Sequence, residues 1–210
     1  LWISGLAYLT KAIFINGNAI HNHLQMQDLL EKIYRDNDQL AFRQLFLQYS
    51  DRLIVFAASL LPSREEAEEA VSDVFVKIWQ NRAGLATVRN LNTYLYTAVR
   101  NTACNYRISA GRMPEILTGE YIQVAVNTMA ASPEDMLISK ENLRKIESAI
   151  NLLPSRCKLI FRLVKEDGLK YREVAEILEV SINTVNTQMA IALKKLGEVI
   201  DIRQHFGWME

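Results

Sequence analysis

The sequence predicts an all-α protein made of two small helical domains joined by a flexible linker, the C-terminal one containing a helix-turn-helix. Three observations predict it. Apolar residues recur at helical spacing along most of the chain, no segment alternates as a strand does, and the periodicity breaks in the middle, where Gly111, Pro114 and Gly119 fall close together. The 210 residues carry 24 Lys+Arg against 24 Asp+Glu and are 50% hydrophobic, which is enough for one core or two small ones and too apolar for global disorder.

Residues 1–25 mix apolar positions with Lys11, Asn16 and His21, and no cationic stretch precedes the apolar run, so they do not read as a signal peptide. They are expected to be an upstream extension outside the fold, with translation starting at Met26, where a clean helical pattern opens. Leu40, Phe42, Leu45, Tyr49, Leu53, Phe56 and Leu60 mark a long amphipathic helix to Leu61 that Pro62 should stop. Ser63 with Glu66 three residues on is a capping-box signature, and the acids at 65, 66, 68 and 69 suit a helix N-terminus. The helix that starts there, near Arg64, should bury Ala67, Ala70, Val71, Val74, Phe75, Ile78 and Trp79. A further helix is expected from Asn92 to Ile108, closing a first domain over 26–112. Residues 113–132 read as the linker. Ser132, Pro133 and the two acids after them restart a helix as N-cap, first position and first turn, opening a second domain over 133–203 before a tail at 204–210. Its helices are expected near 134–152, 155–166, 171–178 and 182–200.

The last two of these form the helix-turn-helix. Val174, Ala175 and Leu178 point inward, Glu179-Val180-Ser181 makes the turn, and Ile182, Val185, Met189, Ala192, Leu193 and Leu196 form the buried stripe of the second helix. Its exposed set, Asn183, Thr184, Asn186, Thr187, Gln188, Ile191, Lys194 and Lys195, puts neutral hydrogen-bonders at the N-terminal end and lysines at the C-terminal end. A recognition helix meets base edges with its N-terminal residues, where Asn and Gln pair with adenine, while Lys neutralises phosphate. The bland alternative is a helical hairpin with a solvated polar face.

Charge is segregated although it sums to zero. From Val74 to Pro114 there is no acid, whereas Lys77, Arg82, Arg89, Arg100, Arg107 and Arg112 occur, interleaved with Phe75, Trp79, Tyr94, Tyr96 and Tyr106. Cations among aromatic faces suit single-stranded or unwinding DNA, because bases stack on rings while the backbone follows the charge. Helical spacing favours Phe75 and Trp79 as core, with Tyr94, Tyr96 and Asn101 as the exposed members.

These motifs, in this order, resemble those of the extracytoplasmic-function (ECF) sigma factors of bacterial RNA polymerase, over residues 26 to about 200. The segment from Ala41 through Tyr49 is similar to the family's opening helix, Asp73 to Trp79 to its polymerase-binding helix, Leu95 to Asn101 to its promoter-melting helix, and Leu153-Pro154 followed by Ser181 to Leu196 to its upstream-element reader. The resemblance implies that Asp73, Phe75, Lys77 and Trp79 dock on the clamp helices of core RNA polymerase. It implies that Arg82, Arg89, Asn90, Tyr94, Tyr96, Arg100, Asn101, Asn105 and Arg107 handle the downstream promoter element, and that Arg172, Ser181, Asn183, Thr184, Asn186, Thr187, Gln188, Lys194 and Lys195 read the upstream one. It also implies an anti-sigma partner, often one held at a membrane. Asn105 stands where the family usually has Asp and Tyr94 where it often has Trp, departures that bear on which bases are read.

Unstacking costs about 1.4 kcal/mol per base-pair step and a base caught on an aromatic ring returns roughly 1–3 kcal/mol, so one or two captured bases cannot hold open a bubble of about ten pairs without the polymerase. The competing expectation is a stand-alone helix-turn-helix regulator that binds duplex DNA by itself; a second is a helical adaptor that binds only protein. No enzyme activity, metal, cofactor or small-molecule substrate is expected, since His21, His23 and His205 lie near the chain ends and no nucleophile triad, metal-spaced set or Gly-rich phosphate loop occurs. Cys104 and Cys157, the only cysteines, are too few for a disulfide framework and fit a reducing, cytoplasmic setting.

Overall fold

The computed structural model describes residues 19–111 and 147–199. Residues 1–18, the expected linker, the helix start expected at Ser132 and Pro133 with most of the helix expected over 134–152, and the tail lie outside them. The first lobe consists of α1 (Ala19–Asp36), α2 (Gln39–Ala58), α3 (Arg64–Gln80), a 3-10 helix (Arg82–Thr87) and α4 (Leu91–Ser109). The second has helical residues 147–151, then α5 (Ser155–Lys165), α6 (Tyr171–Leu178) and α7 (Ile182–Val199). No strand occurs among the described residues.

α2, α3 and α4 each start on a side chain that satisfies amides left free at the helix end. The Asp38 carboxylate accepts from the Leu40 and Ala41 amides at 2.8 and 3.1 Å, Ser63 Oγ from Glu66 N at 3.1 Å, and Asn90 Oδ1 from Thr93 N at 3.1 Å. Between α1 and α2 the chain reverses at Asn37, whose φ of 56° lies in the left-handed region that Asn tolerates. The core fills with Ile33, Leu45, Leu53, Val71, Leu95 and Val99, and Ala67 and Ala70 let α3 approach closely. Tyr49 Oη, donating to Asn92 Oδ1 at 2.9 Å, and Arg107, donating to the Leu60 carbonyl at 3.1 Å, tie the two ends of α4 to α2 and the turn after it.

Two boundaries differ from expectation. The helix expected to reach Leu61 ends at Ala58, because Pro62 disfavours helical geometry at the residue before it and Ser59 Oγ donates to the Phe56 carbonyl at 2.6 Å; Leu60 and Leu61 are buried in the turn instead. At the other end, α1 begins at Ala19, so residues 19–25 continue into the helix expected to open at Met26.

In the second lobe Ile160, Leu163, Val174, Ile177, Leu178, Val185, Met189 and Ala192 form the core. The turn between α6 and α7 is closed by Val180 N donating to the Ala175 carbonyl at 2.9 Å, with Glu179 left-handed at φ 52° and ψ 46°. Ser181 Oγ accepts from Thr184 N at 3.0 Å and caps α7, as expected. Ile182, expected in the buried stripe, is 42% exposed, because as the first residue of α7 it projects beyond the α5 and α6 surface that Val185 and Met189 meet. The lobes pack together, with α6 lying against α4.

Candidate nucleic-acid interface

The helical pitch sorts the candidate residues of α4 onto different faces. Tyr94, Asn101, Asn105 and Ile108 follow one another by seven, four and three residues and form one exposed stripe. Tyr94 is 40% exposed, an aromatic face beside two neutral hydrogen-bonding side chains. On the opposite side Leu95, Val99 and Ala103 enter the core.

Tyr96 corrects the expectation of exposure. It is fully buried, its ring 5.0 Å from that of Phe56. Two positions separate it from Tyr94, a rotation of roughly half a helical turn, so both rings cannot share a face. Its hydroxyl faces the Asp167 carboxyl group of the second lobe without reaching hydrogen-bond geometry, and burial pushes the phenol far above its ordinary range. Burial likewise pushes Asp167 up to about 6, against the opposing pull of the Tyr96 hydroxyl, Arg52 and Arg162.

Arg100, expected to contact DNA, has its guanidinium buried between the lobes in this arrangement. Its two terminal nitrogens donate in parallel to the Glu179 carboxylate at 2.6 and 2.5 Å. Asn90 serves two roles, capping α4 through Oδ1 and donating from Nδ2 to Glu173 Oε1 at 2.7 Å. Arg107 is half-buried against Leu60. Arg82 stacks over the Trp79 ring at 4.8 Å and donates to the Trp79 carbonyl at 3.0 Å and to Asn37 Oδ1, which braces the 3-10 segment; Arg89 is exposed.

The candidate protein-docking residues of α3 divide similarly. Lys77 is exposed, and so is Val76 beside it. Phe75 is only 3% exposed, because it sits edge-on to Phe42 and Phe46 at 6.0 and 4.9 Å; it therefore contributes the floor of an apolar groove between α2 and α3 rather than a protruding contact. Trp79, half-buried, forms the groove's end, its ring 4.9 Å from Phe42. Asp73 is half-buried and accepts from Tyr106 Oη at 3.0 Å; burial first, then that carboxylate, push the Tyr106 phenol up to about 12.

On α7, Asn183, Asn186, Thr187 and Lys194 lie on the exposed side with Ile191, Lys195 is exposed, and Thr184 is half-buried over its cap. Thr187 Oγ1 donates back to the Asn183 carbonyl at 2.9 Å, leaving its methyl and oxygen to face outward. Gln188 is half-buried, and its carbonyl oxygen accepts from the Cys157 thiol at 2.8 Å, so the expected free carboxamide is anchored to α5. Arg172 and Ser181 are exposed at the edges of the motif. Sequence reasoning missed Glu173 and Glu179, which hold the first lobe; the available signal was an acid at a helix-turn-helix turn, where glycine is the residue that left-handed geometry favours.

Two family models match, "Sigma-70 region 2" over residues 45–113 and "Sigma-70, region 4" over 143–196, together more than half of the chain. The chain is similar to the ECF RNA polymerase sigma-E factor of Escherichia coli K12, 25% identical over 169 residues that cover 78% of this chain and 87% of that protein. It is also similar to the RNA polymerase sigma-H factor of Pseudomonas aeruginosa, 23% identical over 186 residues, 84% of this chain and 94% of that one. Among solved structures, the complex of the sigma factor RpoE with the anti-sigma factor NepR from Bartonella quintana shares the fold, with a TM-score of 0.50 and 23% identity over 76% of this chain and 96% of that one.

Proposed function

The chain belongs to the ECF group of the sigma-70 family, promoter-directing factors of RNA polymerase, and from that membership we propose how its parts divide the work. The first lobe, 26–112, docks core polymerase through the exposed part of α3, where Val76 lines the aromatic groove ending at Trp79 and Lys77 is exposed on the same helix. Asp73 and Phe75 support that surface from within, Asp73 through Tyr106 and Phe75 as the groove floor. Tyr94, Asn101 and Asn105 receive the unpaired strand of the downstream element, with Arg89 and Arg82 at the loop edge. The second lobe, 133–203, reads the upstream element in the major groove with Asn183, Asn186 and Thr187, while Lys194, Lys195 and Arg172 neutralise phosphate.

The observation that carries this assignment is the ordered pair of region matches on the lobe that bears the Tyr94-Asn101-Asn105 stripe and on the lobe that bears the capped α7. The chain performs no catalysis of its own and works in the cytoplasm, where its polymerase is; among the described residues no helix is long and apolar enough to cross a membrane. An anti-sigma protein restrains it by covering these same surfaces, a role supported by the RpoE–NepR likeness. In vitro transcription on genomic fragments, with and without core polymerase, tests the assignment. Transcripts should need both chain and core. Tight binding of duplex by the chain alone, with no transcript when core is added, would instead establish a stand-alone regulator.

A further inference from the structure

Glu179 occupies a backbone position that glycine would fill without strain. Its φ of 52° is left-handed, and no hydrogen bond inside its own lobe engages its carboxylate among those described. What the side chain does is reach across to α4 and take both terminal nitrogens of Arg100, whose own side chain is 9% exposed while that of Glu179 is 68% exposed. The first lobe has no acid between Val74 and Pro114 to pair with that buried guanidinium, and its other described acceptor is the Asn101 Oδ1 at 3.2 Å. Arg100 also holds the Glu179 carboxyl below its ordinary range, through hydrogen bonding first and charge second.

A second acid repeats the arrangement. Glu173, in the first turn of α6, accepts from Lys170 N at 2.8 Å with one oxygen and from Asn90 Nδ2 at 2.7 Å with the other. The two acids thus stand at opposite ends of α6, and their two donors stand at the N-cap and in the third turn of α4. Planar two-point pairing with a guanidinium is the geometry of a phosphate or a carboxylate, and one guanidinium fork cannot hold both.

We infer that Glu179, seconded by Glu173, is an internal anion that stands in for nucleic-acid phosphate on α4 and latches the two lobes in a closed form that withholds Arg100 and Asn90 from DNA. The inference rests on the proposed function only for what is withheld; the latch itself is a matter of lobe geometry. Apparent activity then scales with the fraction of chains whose lobes are apart, so a closed population of about nine-tenths lowers it roughly tenfold.

The test uses the full chain with fluorophores placed through unnatural residues at the exposed positions Leu47 and Leu152, giving an interlobe distance by energy transfer, and in parallel measures the chain concentration that half-saturates core-polymerase transcription. Glu179→Gly relieves the left-handed strain and removes the carboxylate, and Glu179→Gln keeps the size and removes the charge. Both should lengthen the distance and lower the half-saturating concentration, by about tenfold for a latch of that strength. Circular dichroism and melting check that each variant is folded, with the glycine variant at least as stable in its second lobe. The paired exchange Arg100→Glu with Glu179→Arg should restore the short distance but not transcription. Unchanged distance in both single variants would overturn the latch. A longer distance with unchanged half-saturation would overturn its inhibitory role. Absence of transcripts from every form, wild type included, would count against the proposed function, while the distances would still decide the latch.

Discussion

Replacing Asp167 by Asn should flatten part of the pH dependence of stability. Asp167 lies in the turn between α5 and α6, facing Tyr96 and Arg52 of the first lobe and Arg162 of its own, and burial raises its carboxyl from the ordinary 3.8 to about 6. An acid whose folded pKa is raised binds its proton more tightly in the native protein. Its contribution is therefore fullest below the unfolded value, near 4, and is lost as pH rises through about 6. The full shift makes the ionised form roughly 3 kcal/mol less stable in the folded chain, and about 1.4 kcal/mol of that develops between about pH 5 and pH 7.5. Asn keeps the shape and an oxygen for the Tyr96 hydroxyl but has nothing to ionise. Urea unfolding of both forms at the two pH values gives the measurement. The variant should gain about 1.4 kcal/mol on wild type from the lower to the higher pH. Glu179, whose carboxyl Arg100 lowers, acts with the opposite sign on the acid side, but it is present in both proteins and cancels in the difference. Parallel profiles would mean that Asp167 is not buried between the lobes.

Three further outcomes follow from the same geometry. Ser63→Ala removes the cap that receives the Glu66 amide and should cost about 1 kcal/mol of first-lobe stability in urea, while hydrogen exchange in α6 and α7 stays unchanged. Tyr94→Ala should shorten the lifetime of the open promoter complex by the loss of one stacked base, roughly 1–3 kcal/mol; an unchanged lifetime would remove Tyr94 from the strand path. Lys194→Ala with Lys195→Ala should reduce the slope of log affinity against log salt for the polymerase holoenzyme on the upstream element by up to about 2, without changing base preference, and a changed preference would make these lysines base readers.

The fold was legible because its signals are local. Ser63 capping α3, Ser181 capping α7 and the Pro62 stop are decided within a few residues, and helical spacing separated Leu95 and Val99 from Asn101 and Asn105. Tyr96 and Arg100 escaped for the opposite reason. Within α4 alone they are polar residues in a basic stretch, free to face solvent; Phe56 of α2 under the Tyr96 ring and the docking of the second lobe, with Asp167 and Glu179 some seventy residues away in sequence, turn that side of the helix into an interior. Gln188 escaped likewise, because its partner Cys157 comes from α5 and a thiol donor carries no sequence signature. Faces set by one helix can be read from its period, whereas faces set by a second lobe cannot.

That distinction also explains a neutral chain with a strongly basic segment. One cation of that segment, Arg100, is offset by an acid that lies more than sixty residues further on and folds back onto it, Glu179. The zero sum of charges belongs to the composition, whereas the local compensation of Arg100 belongs to the closed form. Moving α6 away from α4 exposes a buried guanidinium that has lost its carboxylate, a state that is unfavourable in isolation and becomes favourable where an external anion takes the vacated position. A phosphate backbone already held by the polymerase supplies that anion at high effective concentration, while free duplex in solution competes poorly with a carboxylate tethered on the same chain. Dependence on core enzyme then arises from two sources, the weak stacking return of one or two bases and the need to replace Glu179, and the Glu179→Gly variant removes only the second.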